Sequence, residues 1–443
     1  MKLALLLFLG LLAHTFGGHA TGEGAGTILA FGYLLLSSYY VGDLFKRISL
    51  PRLTGYIACG IVAGPSVLGL VPREAVGSLT LVNGAAIALI ALTAGSEIDF
   101  RAMRPLFRSI AGITLVAVLG TTVLLAATVF ALQGFLPFMA GMGTVQAAAV
   151  ALVLGVVMVA QSPAVVVALR DEMAADGPVS RTVLGVVVIA DLVVILLFAV
   201  ASTVAKVTFG LGADVIEVAA RLSWEIFGSV AVGLVIGQLL AVYLRKIGGS
   251  AGLFILAVAF VMAEVGQRLH FDPLIIALAA GMLVRNATSV GERLHGEIES
   301  ASLPVYVLFF AVAGANIHLD VLLVVGGPAA ALGRGRGAGR GIGTRSGAGR
   351  AGAPPVVRRY AGFGLMPQAG LALALALLFA KTFPEFGSEA AALTLGGVPR
   401  NELVAPILYR WALARCGEAG RLAPQEFPAT PERTATDAEG PTL

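Results

Sequence analysis

Residues 181–198 read RTVLGVVVIADLVVILLF, and Asp191 is the sole charge between Thr182 and Ala205. At 1.5 Å per residue, a carboxylate ten residues into such a helix lies about 15 Å deep. That is near the middle of a bilayer whose hydrocarbon core is about 30 Å thick. A charge there is expensive, and it is tolerated where it faces protein or a water-filled cavity. Asp191 therefore reads as an ion or proton site. The plainer alternative is a neutral carboxyl that fixes helix packing through a hydrogen bond.

The rest of the chain agrees with a membrane setting. Of 443 residues, 58% are hydrophobic and only 13% charged, with a mean hydropathy of +0.91. A soluble chain carries about a quarter charged residues, so this composition specifies an all-α polytopic membrane protein in contact with a lipid bilayer. Apolar stretches lie near 3–17, 26–43, 53–70, 78–96, 109–132, 144–169, 182–205, 222–243, 251–267, 273–285, 302–316, 319–332, 360–380 and 386–408. That is about 13 spans plus an N-terminal segment, 1–20, which reads as a signal peptide or an extra helix. Alternating the loops places Lys46, Arg47, Arg52, Arg101, Arg104, Arg108, Arg170 and Arg181 on one side, with Arg73, Lys206 and Lys381 among the few on the other. The positive-inside rule then puts the short polar tail, 414–443, in the cytoplasm of a cell (inner) membrane protein.

Several function classes drop out. Net charge is only +4 and spread over short loops, which does not suit nucleic acid. Cys59 and Cys416 are far apart in the chain, the five histidines are scattered, and no metal-ligand cluster appears. No phosphate-binding loop is present, so neither ATP nor any other cofactor is expected, and the protein does not read as an enzyme. Residues 333–350, GRGRGAGRGIGTRSGAGR, hold eight glycines and five arginines. The composition predicts a disordered, basic Gly/Arg-rich cytoplasmic segment over 333–359. Like Thr394–Arg400 in the last span, it reads as a local departure from an apolar frame.

Two spans carry polar interruptions with proline. One is Gln161-Ser162-Pro163; the other is Pro367-Gln368-Ala369-Gly370. Proline removes a backbone donor and clashes with the preceding turn, so each helix should break there. Open backbone groups inside a bilayer are tolerable only where they line a cavity or meet each other. A pair of interrupted spans in the two halves of a chain points to a binding site between repeats. Ser162 and Asp191 flank the loop 170–181 at similar distances, which puts them at similar depth on adjacent helices.

These residues carry a resemblance. Leu50-Pro51-Arg52-Leu53-Thr54-Gly55-Tyr56 through Gly64-Pro65, then Gln161-Ser162-Pro163-Ala164, Asp191, Leu308–Ala315 and Pro367–Gly370, resemble in order the monovalent cation:proton antiporter-2 family. The resemblance covers roughly 25–415. It implies an inverted-repeat antiporter fold over a membrane transport domain, 26–413, with two crossing discontinuous helices beside a carboxylate. A core moving against a scaffold and a homodimer are implied as well. Many members carry Asp, Asn or Gln before the essential aspartate, where this chain has Ala190.

The expected function is exchange of protons for a monovalent cation, Na+ or K+, with Asp191 and Ser162 as ion and proton ligands. One titrating carboxylate implies electroneutral exchange. The alternative is a channel-like or sensory protein of the same fold. Among other acids, Glu97 and Asp99 read as loop surface and Glu264 as interfacial. Asn401-Glu402 is expected to pair with Arg400 or with another helix.

Overall fold

The computed structural model describes residues 25–72, 76, 81–211, 215–246, 251–316, 326–368, 370–395 and 397–421. The expectations for 1–20 and for most of the C-terminal tail lie outside the described residues. Every regular element among the described residues is helical: α1 (Ala25–Arg47), α2 (Arg52–Ala63), α3 (Leu81–Glu97), α4 (Phe100–Ala131), α5 (Thr144–Val159), α6 (Pro163–Glu172), α7 (Pro178–Thr208), α8 (Val215–Lys246), α9 (Ala251–Leu269), α10 (Pro273–Ala287), α11 (Gly291–Ala315), α12 (Gly326–Arg350), α13 (Pro355–Gly364), α14 (Gly370–Thr382), α15 (Gly387–Leu395) and α16 (Val398–Arg415). Five described spans are long and apolar enough to cross a membrane, α4, α5 with α6, α7, α8 and α9; a bent α11 makes a sixth. Several others are apolar but shorter.

The strongest helix contacts fall into two sets, which are joined where α6 packs on α3 and α16 on α2. In one, α10 lies against α3 and α8, while α2 lies against α1 and α11. In the other, α4 packs on α5 and α12, α7 on α5 and α13, α14 on α15, and α13 on α16. Contact between α7 and α8, across the seam, is slender. Local signals start the helices at the seam. Pro178 and Pro273 occupy first-turn positions where a missing N–H costs nothing, and Asp272 caps α10 through the Leu274 amide at 2.8 Å.

The segment 333–359 corrects the sequence expectation. Instead of a disordered loop, the chain forms α12 and the start of α13, and the helix expected over 319–332 runs from Gly326 to Arg350. Composition misleads because Gly339, Gly343 and Gly347 face neighbours that leave no room for a side chain. A Cβ on Gly339 would meet Thr121 Oγ1 at 2.9 Å, one on Gly343 would meet Ala117 Cα at 2.6 Å, and one on Gly347 would meet the Gly112 carbonyl at 2.5 Å. The four-residue spacing makes a stripe of small residues that lets α12 press against α4, where a π-helical turn runs from Thr114 to Leu119. The departure expected at 394–400 is a helix boundary, with α15 ending at Leu395 and α16 beginning at Val398.

Candidate functional site

The helices stop where the prolines say. α5 ends at Val159 and α6 begins at Pro163, capped by Ser162, whose Oγ accepts the Val165 amide at 3.4 Å. α13 ends at Gly364 and α14 begins at Gly370. The two interruptions meet: the Ser162 amide donates to the Pro367 carbonyl at 3.1 Å, and Gln368 Nε2 reaches the Met158 carbonyl at 3.4 Å. Gln368 Oε1 in turn accepts from Asn401 Nδ2 of α16 at 3.0 Å. Gln161, Ser162, Pro163, Pro367 and Gln368 are all buried. Ala369 lies outside the described residues.

Two arginines of the segment expected to be a disordered basic loop hold this crossing. Arg336 donates from Nε to the Met158 carbonyl at 2.8 Å, from Nη2 to that of Ala160 at 2.9 Å, and from Nη1 to that of Met366. Arg340 donates to the Val159 carbonyl, and Gln161, with its amide oxygen turned toward the guanidinium, accepts from Nη2 and Nη1 at 2.9 and 2.6 Å. Both side chains are buried, Arg336 at 2% exposure and Arg340 at 0%. Carbonyls at a helix C-terminus have no intrahelical donor and carry partial negative charge, so fixed cations suit them. The signal was present in the sequence. Arg336 and Arg340 sit four apart, one position after each of Gly335 and Gly339, on the face beside the glycine stripe.

Asp191 stands apart from these bonds. Its side chain is 3% exposed, and neither carboxylate oxygen has a hydrogen-bond partner. It lines a cavity of about 770 Å³ between α4 and α7 on one side and α8 and α10 on the other. Most of the wall is apolar, including Ile189, Ile226 and Leu278, with Arg104 and Arg108 of α4 among the lining residues. Ser162 does not line it. The structure thus gathers Gln161, Ser162, Pro163, Pro367 and Gln368 at the crossing, and gives Asp191 the cavity. Gly370 opens α14.

Polar contacts fix one end of α6 and α7. Glu97, expected on a loop surface, is instead buried against Arg170, with side-chain exposures of 3% and 8%. The partner that buries it lies 73 positions away, which no local pattern announces. Asp99 stays half-exposed, caps the first turn of α4 through the Arg101 amide at 2.8 Å and approaches Arg285 at 3.5 Å. Arg170 Nε donates to the Ala175 carbonyl at 3.1 Å. Arg181 binds Asp176 through two bonds of 2.8 and 2.5 Å, and these hold the Asp176 carboxyl below its ordinary value of 3.8 against the opposing effect of burial. Glu418, beyond the last helix, caps α7: its carboxylate accepts the Val179 and Ser180 amides at 2.6 and 2.7 Å. Gly177 admits it, since a Cβ there would meet the Glu418 carboxyl carbon at 2.5 Å.

Glu264 pairs with Arg268 at 2.5 Å on an exposed face. Glu402 is buried at 5% exposure, and the Arg400 side chain lies outside the described residues. Among the described residues no group of three or more metal-ligating side chains occurs.

The family model described as "Sodium/hydrogen exchanger, transmembrane" matches residues 32–414. The chain is 27% identical over 300 residues to the Na(+)/H(+)-K(+) antiporter GerN of Bacillus cereus, covering 65% of this chain and 70% of that protein. It is 28% identical over 164 residues to the iron transporter MagA of Paramagnetospirillum magneticum, covering 36% and 34%. Two structures of the sodium proton antiporter MjNhaP1 from Methanocaldococcus jannaschii align with TM-scores of 0.66 and 0.68. Identity there is 17% and 15%, over 88% of this chain and 99% and 96% of the other, so the likeness is one of fold.

Proposed function

The chain belongs to the sodium/hydrogen exchanger transmembrane family, and from that premise we propose that it exchanges protons for Na+ or K+ at Asp191. It is a transporter rather than an enzyme. The observation that carries the site is the bare carboxylate: two buried oxygens without a donor, on the wall of a cavity. A buried carboxylate without a partner is satisfied by a proton or by a cation, and each satisfies it in the absence of the other. Competition for one group is the coupling that exchange requires. The name of the Bacillus cereus relative supports both Na+ and K+ as candidates.

In this reading the exchange is one cation for one proton, hence electroneutral, because Ala190 adds no second titrating group beside Asp191. Arg336 and Arg340 keep their protons throughout and hold the two interruptions as one body. Ser162 takes part through the lone pair left after it caps α6. The two broken helices serve as partners in an inverted repeat, and the group carrying them moves against the group carrying α10. The protein sits in the cell membrane as a homodimer with its C-terminal tail cytoplasmic, a topology motivated by the Lys/Arg asymmetry of the loops.

The test is a cation series on proteoliposomes with an internal pH dye and the membrane potential clamped at several values. Proton flux that requires Na+ or K+ and ignores the potential is the expected result. A rate that tracks the potential would exclude one-for-one exchange, and cation flux without proton movement would mark a channel.

A further inference from the structure

Asp272 places a second carboxylate on the wall of the cavity that Asp191 lines. In the sequence it is hidden, since an Asp-Pro pair before an apolar run reads only as a helix start. Its amide donates to Ser229 Oγ of α8 at 2.9 Å, and its Oδ1 accepts the Leu274 amide at 2.8 Å. Glu225 of α8 adds negative charge on the same side, with Arg221 and His270 close to it.

The helix behind Asp272 is wedged in place. A Cβ on Gly95 of α3 would meet the Leu278 carbonyl at 2.4 Å, and one on Gly233 of α8 would meet the Ile276 carbonyl at 2.4 Å. Backbone thus lies on backbone on two flanks of α10, a contact that resists sliding. Asp191 belongs to α7, which packs on α5 and α13 in the other group. The cavity has one carboxylate on each side of the seam.

The two carboxylates are compensated differently. Neither oxygen of Asp191 has a hydrogen-bond donor, and the charge that opposes it is the Arg340 guanidinium, whose own bonds go to the crossing. Asp272 accepts a backbone amide at a helix N-terminus, where the macrodipole offsets part of its charge. A partly offset carboxylate suits a transient position, where binding must favour entry and still permit departure.

We infer that Asp272 is a fixed staging site for the transported monovalent cation, on the wall opposite Asp191, from which the ion passes to Asp191. The inference rests on the exchange reading of Asp191. In Asp272→Asn the helix cap survives, since Asn caps as well as Asp, and only the charge is lost. Initial rates in proteoliposomes over a range of Na+ and K+ should show KM raised by about fivefold, the effect expected for losing one solvated charge contact, with the loss in KM rather than in maximal rate. Asp272→Glu should restore most of the affinity. An Asp272→Asn protein with wild-type KM, or with a reduced maximal rate and unchanged KM, overturns the proposal and leaves Asp272 a helix cap.

A readout without transport separates this from failure of the exchange reading. Na+-dependent thermal stabilisation of purified Asp191→Asn protein should persist in part and vanish in Asp191→Asn/Asp272→Asn. Equal stabilisation in the two would also overturn it. Should Asp272→Asn fail to fold, Asp272→Ser keeps a capping oxygen and replaces it in both experiments. A wild-type protein that exchanges no cation refutes the role given to Asp191 and leaves the thermal comparison to decide on Asp272.

Discussion

The Ser162 amide and the Pro367 carbonyl, 205 positions apart in the chain, are joined by a 3.1 Å hydrogen bond, so each interrupted helix completes the backbone of the other. Neither interruption is a simple proline kink. Removing the support of one is felt by both, and that makes their common scaffold accessible to mutation.

Arg336→Met should destabilise the protein by about 3 kcal/mol, because it strips donors from the carbonyls of Met158, Ala160 and Met366 at about 1 kcal/mol or more each. Arg336→Lys should recover little, since a single ammonium lacks the planar fork that reaches three acceptors. Thermal unfolding in detergent measures both. Wild-type stability in Arg336→Met would mean that the carbonyls find other donors.

Asp191→Asn retains the shape of the side chain without its titration. Cation-dependent proton flux should fall to the level of empty liposomes, while the unfolding midpoint changes little or rises, since a buried group that resists charge has been made neutral. Full exchange activity in this variant would remove Asp191 from the mechanism.

Glu418→Ala should cost about 1–2 kcal/mol, the ordinary value of a lost helix cap. Glu418→Gln, which offers one acceptor oxygen and no charge, should fall between. Hydrogen exchange at the Val179 and Ser180 amides gives the direct check: both should become labile in Glu418→Ala and not in wild type.

Acid should act partly through Asp176. Its folded carboxyl is held below the ordinary 3.8, chiefly by the Arg181 hydrogen bonds. The unfolded chain therefore binds this proton more readily, so the contribution is complete above the unfolded value and is lost as pH falls through the folded one. Asp176→Asn should be less stable than wild type near neutrality, and the gap should close on acidification below about pH 4. A gap that stays constant with pH would assign the effect to geometry rather than charge.

Features signalled within a few residues were legible in the sequence. A lone Asp in an apolar run marked Asp191, and proline beside polar residues marked both interruptions, because each departs from its immediate surroundings. The partners of Arg336, Glu97 and Asp272 were not legible, for a common reason. Arg336 answers carbonyls up to 178 positions away, and Glu97 answers Arg170. Asp272 earns notice only because α10 and α7 share a cavity. Glycine and arginine density in 333–350 misled for a related reason. In water such a stretch has nothing to bury, but here the absent side chains are what allow contact, and Arg336 and Arg340 meet backbone that other helices left open.

The cap on α7 bears on the order of synthesis. Glu418 reaches back 239 positions to Val179, so the helix that carries Asp191 is long finished before its capping residue has been translated. Until the chain past α16 emerges, the first turn of α7 must present bare amides to water or to a stand-in. Final seating of that helix is thus a late event in biogenesis, and a nascent chain halted before Glu418 would carry Asp191 on an uncapped helix.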